Sequence, residues 1–494
     1  MTLPVERATL FFFPALAGNV CRGPYNTVLQ PPEQLNAMRI RPPKLLVLSL
    51  VLLSGICLMI VSTAFSRTPT TDGLSRSDRD VQERGTGNEG PYREVRRDTL
   101  LNGLQVISLK VEGQTQIQCD LVVRAGSMFD PVAKTGLAGM TQRTLLAVNP
   151  RLREEMESLQ STIEWGWNWD ITWFRLRTPP ASFEQALEIL ARLLVVETIR
   201  PEAFKVAAEQ QLTEIRQPLA LPKRADEAMM NALYGVHPYG HNLLGSAASV
   251  GNLRPGDVYD YFQRFYLANN ASAIVTGPIS QERVLALFKI FFGGWSKGAI
   301  VPATFRPPLR IPKDRVVVVE EAGGEMVEIR VGLPGERVTS PSYLTTHVLG
   351  EIWAQRWEKA SSTTSGAKAS VEVSRRTLDG PLYLRAVAPA KDAREVARRI
   401  AEMMAGTVAT PITAEELTQA KSSLGRSWGS RSVLEWLQEV ETFGLPRNWP
   451  LTALPRIAAI TEAEVIAAAR TLLERNYPVV VLVGRVEEAP KSNP

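Results

Sequence analysis

Few side chains of this sequence can bind a transition metal or form a disulfide. Its 494 residues include only three histidines and three cysteines. The cysteines are too few and too scattered for a disulfide framework or a cysteine-rich metal site; they are Cys21, Cys57 and Cys119. A glycine-rich phosphate-binding loop is absent, and Ser127 lacks the Gly-x-Ser-x-Gly context of a nucleophile elbow. We therefore predict neither nucleotide chemistry nor disulfide chemistry.

The three histidines do not form a metal-ligand pair in the sequence. His237 and His241 are four residues apart, but Pro238 and Gly240 between them indicate a turn rather than a helix. His347 stands beside apolar residues in a predicted helix, where we interpret it as a packing residue. A zinc site built from these histidines is therefore not expected.

Composition and charge indicate an ordinary globular body. Hydrophobic residues make up 45% of the chain and charged residues 22%, and the length allows two or more domains. The net charge of +5 comes from lysines and arginines that are scattered along the sequence, and no RNA-binding signature or zinc knuckle accompanies them. We expect no nucleic-acid partner.

An apolar run near the amino terminus predicts a membrane anchor. Residues 45–65 contain no charge and are numerous enough to cross the hydrocarbon layer. Basic residues precede this run and are expected to keep residues 1–44 cytoplasmic; they are Arg39, Arg41 and Lys44. The main body is then placed in the periplasm or otherwise outside the cytoplasm.

A cleaved signal peptide is the alternative to an anchor. Met38 could be the true start in place of Met1, and Ser62-Thr63-Ala64 offers small residues for cleavage. In that case residues 1–44 include an unprocessed segment and the body is secreted. Residues 66–95 follow in either case, and their polar, Gly- and Ser-containing composition predicts a flexible linker.

The folded part divides into two halves of similar pattern, which we assign to residues 96–298 and 299–494. The apolar strand Ile274–Gly277 near the end of the first half is mirrored by Val479–Gly484 at the end of the second. We predict an α+β fold of two tandem homologous domains, each an antiparallel sheet with helices on one side.

A tryptophan-rich segment in the first half has two interpretations. Tryptophans recur at period two in Thr162–Leu176, which predicts a single strand with these side chains on one face; they are Trp165, Trp167, Trp169 and Trp173. The rings could form core packing, since aromatic residues dominate buried surfaces. Alternatively, Trp165, Trp167 and Trp169 line a surface that binds a peptide or a partner chain.

The segment Gly136–Leu146 resembles the helix on which insulinase/pitrilysin-type proteases carry His-x-x-Glu-His. In that motif the two histidines bind zinc and the glutamate acts as general base. The corresponding positions here are Gly139, Gln142 and Arg143. Glycine has no ligand atom, glutamine cannot accept a proton at neutral pH, and arginine places a cation where zinc would bind. The resemblance therefore implies a degenerate member without hydrolytic activity.

Other segments resemble the same family in the same order over about residues 96–488. They are Leu101–Leu104, Arg124–Ser127, Asp130–Pro131, Gly136–Ala138, His237–Gly240, Gly245, Tyr266, Asn269–Asn270, Gly277, Val331–Pro334 and Leu349–Gly350. The resemblance further implies that Glu214 matches the third zinc ligand and Ala207 the accessory glutamate. Without the histidines, we expect no zinc or other cofactor and predict a salt bridge between Glu214 and Arg143.

The family resemblance also implies a partner. Family members form chambers from four copies of this domain, so a chain with two copies corresponds to half a chamber. We predict a non-catalytic regulatory or structural subunit that pairs with an active zinc peptidase of the family, with peptides as further ligands. The alternatives are a zinc endopeptidase with non-standard ligands and a membrane-tethered scaffold unrelated to proteolysis.

Overall fold

The computed structural model describes residues 92, 94–195, 199–311, 315–321, 324–361 and 369–487. The predicted anchor at residues 45–65 and nearly all of the predicted linker lie outside these ranges. Among the helices that are described, none combines the length and apolar character needed to cross a membrane.

The first half contains a six-stranded mixed sheet. Its strands are β1 (Arg96–Thr99), β2 (Gln105–Lys110), β3 (Ile117–Val123), β4 (Thr162–Trp167), β5 (Thr172–Thr178) and β6 (Ala271–Gly277). The spatial order is β1-β2-β6-β3-β5-β4, in which β2 and β6 are parallel and the other pairs antiparallel. The predicted Asn-Gly turn joins β1 to β2, and Gly103 adopts a φ of +89° there, which favours glycine.

Within the described part of the first half, eight α-helices accompany this sheet. They are α1 (Leu137–Ala147), α2 (Leu152–Ser158), α3 (Phe183–Leu194), α4 (Pro201–Arg216), α5 (Leu221–Tyr234), α6 (Ala247–Gly251), α7 (Pro255–Phe265) and α8 (Gln281–Phe292). The helix that resembles the family's zinc helix, α1, follows β3 directly in the chain and packs against α4 and α7.

Among the residues described in the second half, the structure shows a five-stranded sheet and six further α-helices. The strands are β7 (Arg315–Glu320), β8 (Met326–Pro334), β9 (Ala369–Val373), β10 (Pro381–Pro389) and β11 (Val479–Gly484). The helices are α9 (Tyr343–Ser361), α10 (Ala393–Ala405), α11 (Ala414–Gly429), α12 (Val433–Phe443), α13 (Trp449–Ala459) and α14 (Glu462–Arg475). The strand order is β7-β11-β8-β10-β9.

The strand orders support the duplication inferred from the sequence but correct the predicted sheet type. The series β2-β6-β3-β5-β4 of the first sheet matches β7-β11-β8-β10-β9 of the second, position by position. Each sheet is mixed rather than antiparallel, because the last strand of each half runs parallel to a strand near its start: β6 beside β2 in the first sheet, and β11 beside β7 in the second. A long helical crossover between the two strands of each pair makes that parallel pairing possible.

Helices cover both faces of each sheet, which corrects the prediction of helices on one side. Alternate residues of a strand point to opposite faces. In β3, Leu121 packs into the main core of the first half, whereas Val122 packs against Leu434 and Leu437 of α12 from the second half. The open face of the second sheet is covered in turn by α5 from the first half, through Met229 among others. The halves thus exchange one helix each.

Candidate functional site

The start of helix α1 is set by a glycine and a buried carboxylate. Gly136 precedes the helix with a φ of +91°, a conformation that glycine adopts at little cost. The Asp130 carboxylate accepts hydrogen bonds from the backbone N–H groups of Gly136 (2.8 Å) and Ala138 (2.9 Å). Burial raises the pKa of Asp130 to about 8, although these N–H donors favour its charged form. This cap fixes the direction in which the next turns of α1 present their side chains.

The Trp167 indole occupies the space where a side chain at position 139 would begin. A Cβ atom placed on Gly139 would lie 2.5 Å from Cζ2 and 2.7 Å from Cε2 of Trp167. The ring is held in place by its Nε1, which donates to the Leu243 carbonyl at 3.3 Å. A histidine at this position therefore cannot be accommodated unless Trp167 moves. The first ligand position is filled from the neighbouring strand β4.

Gln142 is fully buried and holds α1 against the β4–β5 hairpin. Its Nε2 donates to the carbonyl oxygens of Gly166 (2.9 Å) and Trp173 (3.2 Å), residues that are paired across the hairpin. A glutamate carboxylate would present only acceptor atoms to these two carbonyls. The Nε2 group is thus paired with both carbonyls, although the Oε1 atom of the same amide has no hydrogen-bond partner among the described residues. A carboxylate, the family's general base, would repel these two carbonyls.

Arg143 and Glu214 form the salt bridge that the sequence predicted. Nη2 of Arg143 contacts Oε2 of Glu214, which joins α1 to α4. The Arg143 guanidinium also lies over the Trp167 ring, 5.3 Å from its centroid, a favourable cation–π distance. The position of the second histidine and that of the third ligand are therefore occupied by an ion pair.

The surrounding residues complete a packed contact rather than a ligand sphere. Ala207 of α4 is fully buried in the core of the first half. One turn further along α4, Nε2 of the buried Gln211 donates to the carbonyls of Gly136 (2.9 Å) and Leu244 (2.8 Å). Within the described ranges, no group of three or more His, Cys, Asp or Glu side chains could hold a metal ion. The residues present at this site do not fit zinc.

The tryptophan-rich segment is a hairpin, not the single strand that was predicted. It forms β4 and β5 with a turn between them, in which the side chain of Asn168 accepts from the N–H groups of Asp170 (2.7 Å) and Ile171 (3.0 Å). Trp165 and Trp167 pack against the main core of the first half, whereas Trp173 lies on the opposite face. The shared face inferred from period two was wrong because the turn reverses the chain.

An arginine lies over each of the three tryptophans proposed as a binding surface. The pairs are Arg153 over Trp165 (4.8 Å), Arg143 over Trp167 (5.3 Å) and Arg376 over Trp169 (4.6 Å). All three rings are half-buried. Trp165 and Trp167 also contribute to the packing of the hairpin against the core. Binding of a peptide or a partner chain by the three rings stays a prediction.

Trp169 belongs to a contact between the two halves. The neighbouring Asp170 carboxylate is buried and accepts from the Tyr239 hydroxyl (2.6 Å) and the Thr377 backbone N–H (2.9 Å). Arg376 approaches the same carboxylate at 3.4 Å while it covers the Trp169 ring. Sequence reasoning missed this cluster because its members are distant along the chain.

Each of the three histidines has a structural partner. His237 caps a short turn, accepting the N–H of Tyr239 at 3.1 Å, and burial lowers its pKa to about 4. His241 contacts the Ser127 carbonyl at 2.9 Å, and burial lowers its pKa. His347 packs between Tyr343 and Trp428. Burial and then the nearby Arg375 and Arg431 lower its pKa to about 3.

One motif escaped the sequence reasoning. Gly425-Arg426-Ser427-Trp428-Gly429 has the Gly-x-Ser-x-Gly spacing of a hydrolase nucleophile elbow. The segment is the last part of helix α11, whereas an elbow requires a sharp turn from a strand into a helix. The motif is therefore a coincidence of sequence and not a nucleophile site.

Comparisons with known proteins show what the chain is similar to. Residues 252–424 match the family model described as the peptidase M16 inactive domain. This match, together with the relatives below, supports an insulinase-type family member. It is 25% identical over 248 residues to the zinc protease PqqE of Helicobacter pylori, a match that covers 47% of this chain and 55% of that protein. The chain thus spans about half the length of this curated relative.

Two solved structures share the fold. The peptidase M16 inactive domain from Pseudomonas fluorescens superposes with a TM-score of 0.72 at 20% identity, covering 80% of this chain and 99% of that chain. A chain of complex III2 from Candida albicans superposes with a TM-score of 0.67 at 15% identity, covering 80% of this chain and 96% of that one. At these identities the likeness shows the fold alone.

Proposed function

We propose that this chain is a non-catalytic subunit that pairs with an active zinc peptidase of the insulinase-type family and completes a peptide-processing chamber. The observation that carries the proposal is the filled site on α1. Trp167 occupies the space next to Gly139, Gln142 donates to two backbone carbonyls, and Arg143 is paired with Glu214. Each residue has a structural partner in place of a catalytic one.

The retained fold supports a role as a partner. A protein that only lost its metal would keep its other ligands free, whereas here Gln142 Nε2, Gln211 Nε2 and the Arg143–Glu214 pair are each engaged in contacts from β4–β5 and α4. The two halves are also joined by buried polar contacts such as that of Asp170 with Thr377. A body of two joined domains is what one half of a chamber requires. The location we propose is outside the cytoplasm, with a membrane tether at residues 45–65.

Copurification from native membranes tests the proposal. The full chain is purified with an affinity tag, bound proteins are identified by mass spectrometry, and peptide cleavage is measured with and without a chelator. We expect a relative with an intact His-x-x-Glu-His motif to copurify, and chelator-sensitive cleavage that disappears when that partner's glutamate is replaced by glutamine. The isolated chain should hold no stoichiometric zinc and cleave nothing.

The same experiment separates the two alternatives. A zinc endopeptidase with non-standard ligands would show chelator-sensitive cleavage by the isolated chain, together with about one zinc per molecule. A scaffold unrelated to proteolysis would copurify only with proteins that are not peptidases. The likeness to a chain of complex III2 keeps this scaffold role as the second candidate.

A further inference from the structure

The positive charge of the chain has a local concentration where the first half joins the second. Between Arg283 and Ile311 the sequence contains five basic residues and no aspartate or glutamate. The basic residues are Arg283, Lys289, Lys297, Arg306 and Arg310. Their number equals the formal net charge of the whole chain, +5. The stretch begins in α8 and continues into the connection between the two halves.

Exposed aliphatic side chains accompany this charge at one end of the first half. Leu101 in the β1–β2 turn is fully exposed, Ile290 near the end of α8 is 65% exposed, and Ile300 is 45% exposed. Together with Lys289 and Lys297 they form a surface that we call the basic tip. Single large apolar side chains are common on protein surfaces. Several exposed apolar side chains that are close together and accompanied by cations are characteristic of interaction surfaces.

Hydrogen bonds show that the parts of the basic tip are neighbours. Nδ2 of Asn102, the residue after Leu101, donates to the carbonyls of Phe292 (2.7 Å) and Trp295 (3.1 Å) at the end of α8. The chain beyond α8 is held by Asn269, whose Nδ2 donates to the Gly298 carbonyl at 2.8 Å. The turn that carries Leu101 and the segments that carry Ile290 and Ile300 therefore meet at one place.

The charges of the basic tip are available to a ligand. Lys289 and Lys297 are exposed, and neither forms an ion pair with any residue that the structure describes. Arg283, six residues before Lys289 in the same helix, is instead paired with Glu184. The β1–β2 turn from Thr99 to Gln105 contributes no charged side chain. The basic tip thus combines exposed aliphatic side chains with lysines that form no ion pair among the described residues.

We propose that the basic tip docks on the surface of an anionic lipid bilayer. Aliphatic side chains flanked by lysines match the boundary between acyl chains and anionic headgroups. A nucleic-acid surface would favour aromatic side chains for stacking, and the core of a protein interface is depleted in lysine. The inference is independent of the proposed peptidase pairing and draws on the membrane segment expected at residues 45–65.

The length of the tether is compatible with docking. Residues 66–91 separate the expected membrane segment from Tyr92, and these 26 residues span at most about 90 Å when extended. The folded body therefore stays within reach of the bilayer, and the basic tip meets the lipid at a high effective concentration. Weak contacts from a few side chains are sufficient under that condition.

Photocrosslinking in nanodiscs tests the proposal. The full chain is reconstituted in discs of phosphatidylcholine, with or without about one third phosphatidylglycerol, each containing a diazirine lipid, and crosslinked peptides are mapped by mass spectrometry. We expect crosslinks on residues 99–105 and 286–301 in the anionic discs, reduced about tenfold in neutral discs or in high salt.

Two double variants and their controls make the test specific. Lys289→Glu with Lys297→Glu, and Leu101→Asp with Ile290→Asp, should each reduce these crosslinks about tenfold. The controls Lys205→Glu with Lys223→Glu, and Val132→Asp with Val236→Asp, change equally exposed residues elsewhere and should have no effect. Crosslinks spread evenly over the surface, or unchanged in the tip variants, would overturn the proposal. Docking of the tip on DNA or on a protein instead of lipid would overturn it as well.

Discussion

Helices α1 and α9 hold equivalent positions in the two halves, yet they are packed by different chemistry. Each follows the strand that lies next to the closing strand of its sheet, β3 for α1 and β8 for α9. On α1 a glycine and a buried amide let the β4–β5 hairpin approach closely. On α9, Tyr343 and His347 pack their rings against Trp428. A helix at this place in the fold can therefore be held by structural contacts alone, as α1 and α9 both are.

The largest effect is expected where the amide of α1 is converted into the family's carboxylate. Gln142→Glu would bury acceptor oxygens against the Gly166 and Trp173 carbonyls and should reduce the free energy of unfolding by about 3–5 kcal/mol at pH 7. Because burial raises the pKa of the new carboxyl, the loss should diminish as the pH falls and the group becomes neutral. Urea unfolding between pH 4 and 8 measures this.

Gln210→Glu is the matched control for that variant. Gln210 lies on the exposed face of α4, where a new carboxylate should change stability by no more than about 0.5 kcal/mol. If Gln142→Glu were as mild as its control, the buried amide would not be essential to the contact between α1 and the hairpin.

The second effect concerns the close approach of Trp167 to α1. Gly139→Ala should destabilise the protein by about 1–3 kcal/mol, because its Cβ meets the indole ring. The loss should vanish in a Trp167→Ala background, where the ring is gone. A double-mutant cycle by thermal unfolding measures this coupling. Gly425→Ala, also within a helix but facing open space, should be neutral or stabilising by up to about 1 kcal/mol.

For α9, the burial of His347 predicts that the free energy of unfolding depends on pH. The pKa of His347 is lowered to about 3 by burial, whereas an unfolded histidine titrates near 6.5. The unfolded chain then binds more protons between these values, so stability falls as the pH drops below about 6.5. His347→Phe should remove about 1–2 kcal/mol of the change in unfolding free energy between pH 7 and 5. An unchanged slope in the variant would contradict this packing of α9.

The smallest effect belongs to the ion pair between α1 and α4. Glu214 is about half exposed, so solvent screens its attraction to Arg143. A double-mutant cycle with Arg143→Met and Glu214→Gln should give a coupling of about 0.5–1 kcal/mol that decreases at high salt. A coupling of several kcal/mol would show instead that the pair is the main support of the degenerate site.

Local patterns were sufficient to predict some of the elements. The apolar run Val479–Gly484 predicts a strand, and β11 has the same bounds. The absence of the family's catalytic chemistry could also be predicted from the sequence, because the loss of both histidines and the glutamate depends only on residue types. Even the Arg143–Glu214 contact followed from the family resemblance.

Contacts between distant segments could not be read in the same way. The hairpin at Asn168–Ile171 reverses a tryptophan pattern that continues across it at period two, so local spacing alone predicted one strand. Helices α5 and α12 were not predicted, and each packs on the sheet of the other half. Such an exchange depends on which apolar faces remain uncovered once both sheets have formed.

The sequence by itself determined that this chain resembles a zinc protease without its zinc ligands, because ligand atoms and bases are properties of individual side chains. Only the tertiary structure decided what replaced them. The Trp167 ring lies on Gly139 and the Gln142 amide faces two carbonyls because the β4–β5 hairpin packs against α1. The physical reason is that packing density and hydrogen-bond matching are set by neighbours in space and not by neighbours in the chain.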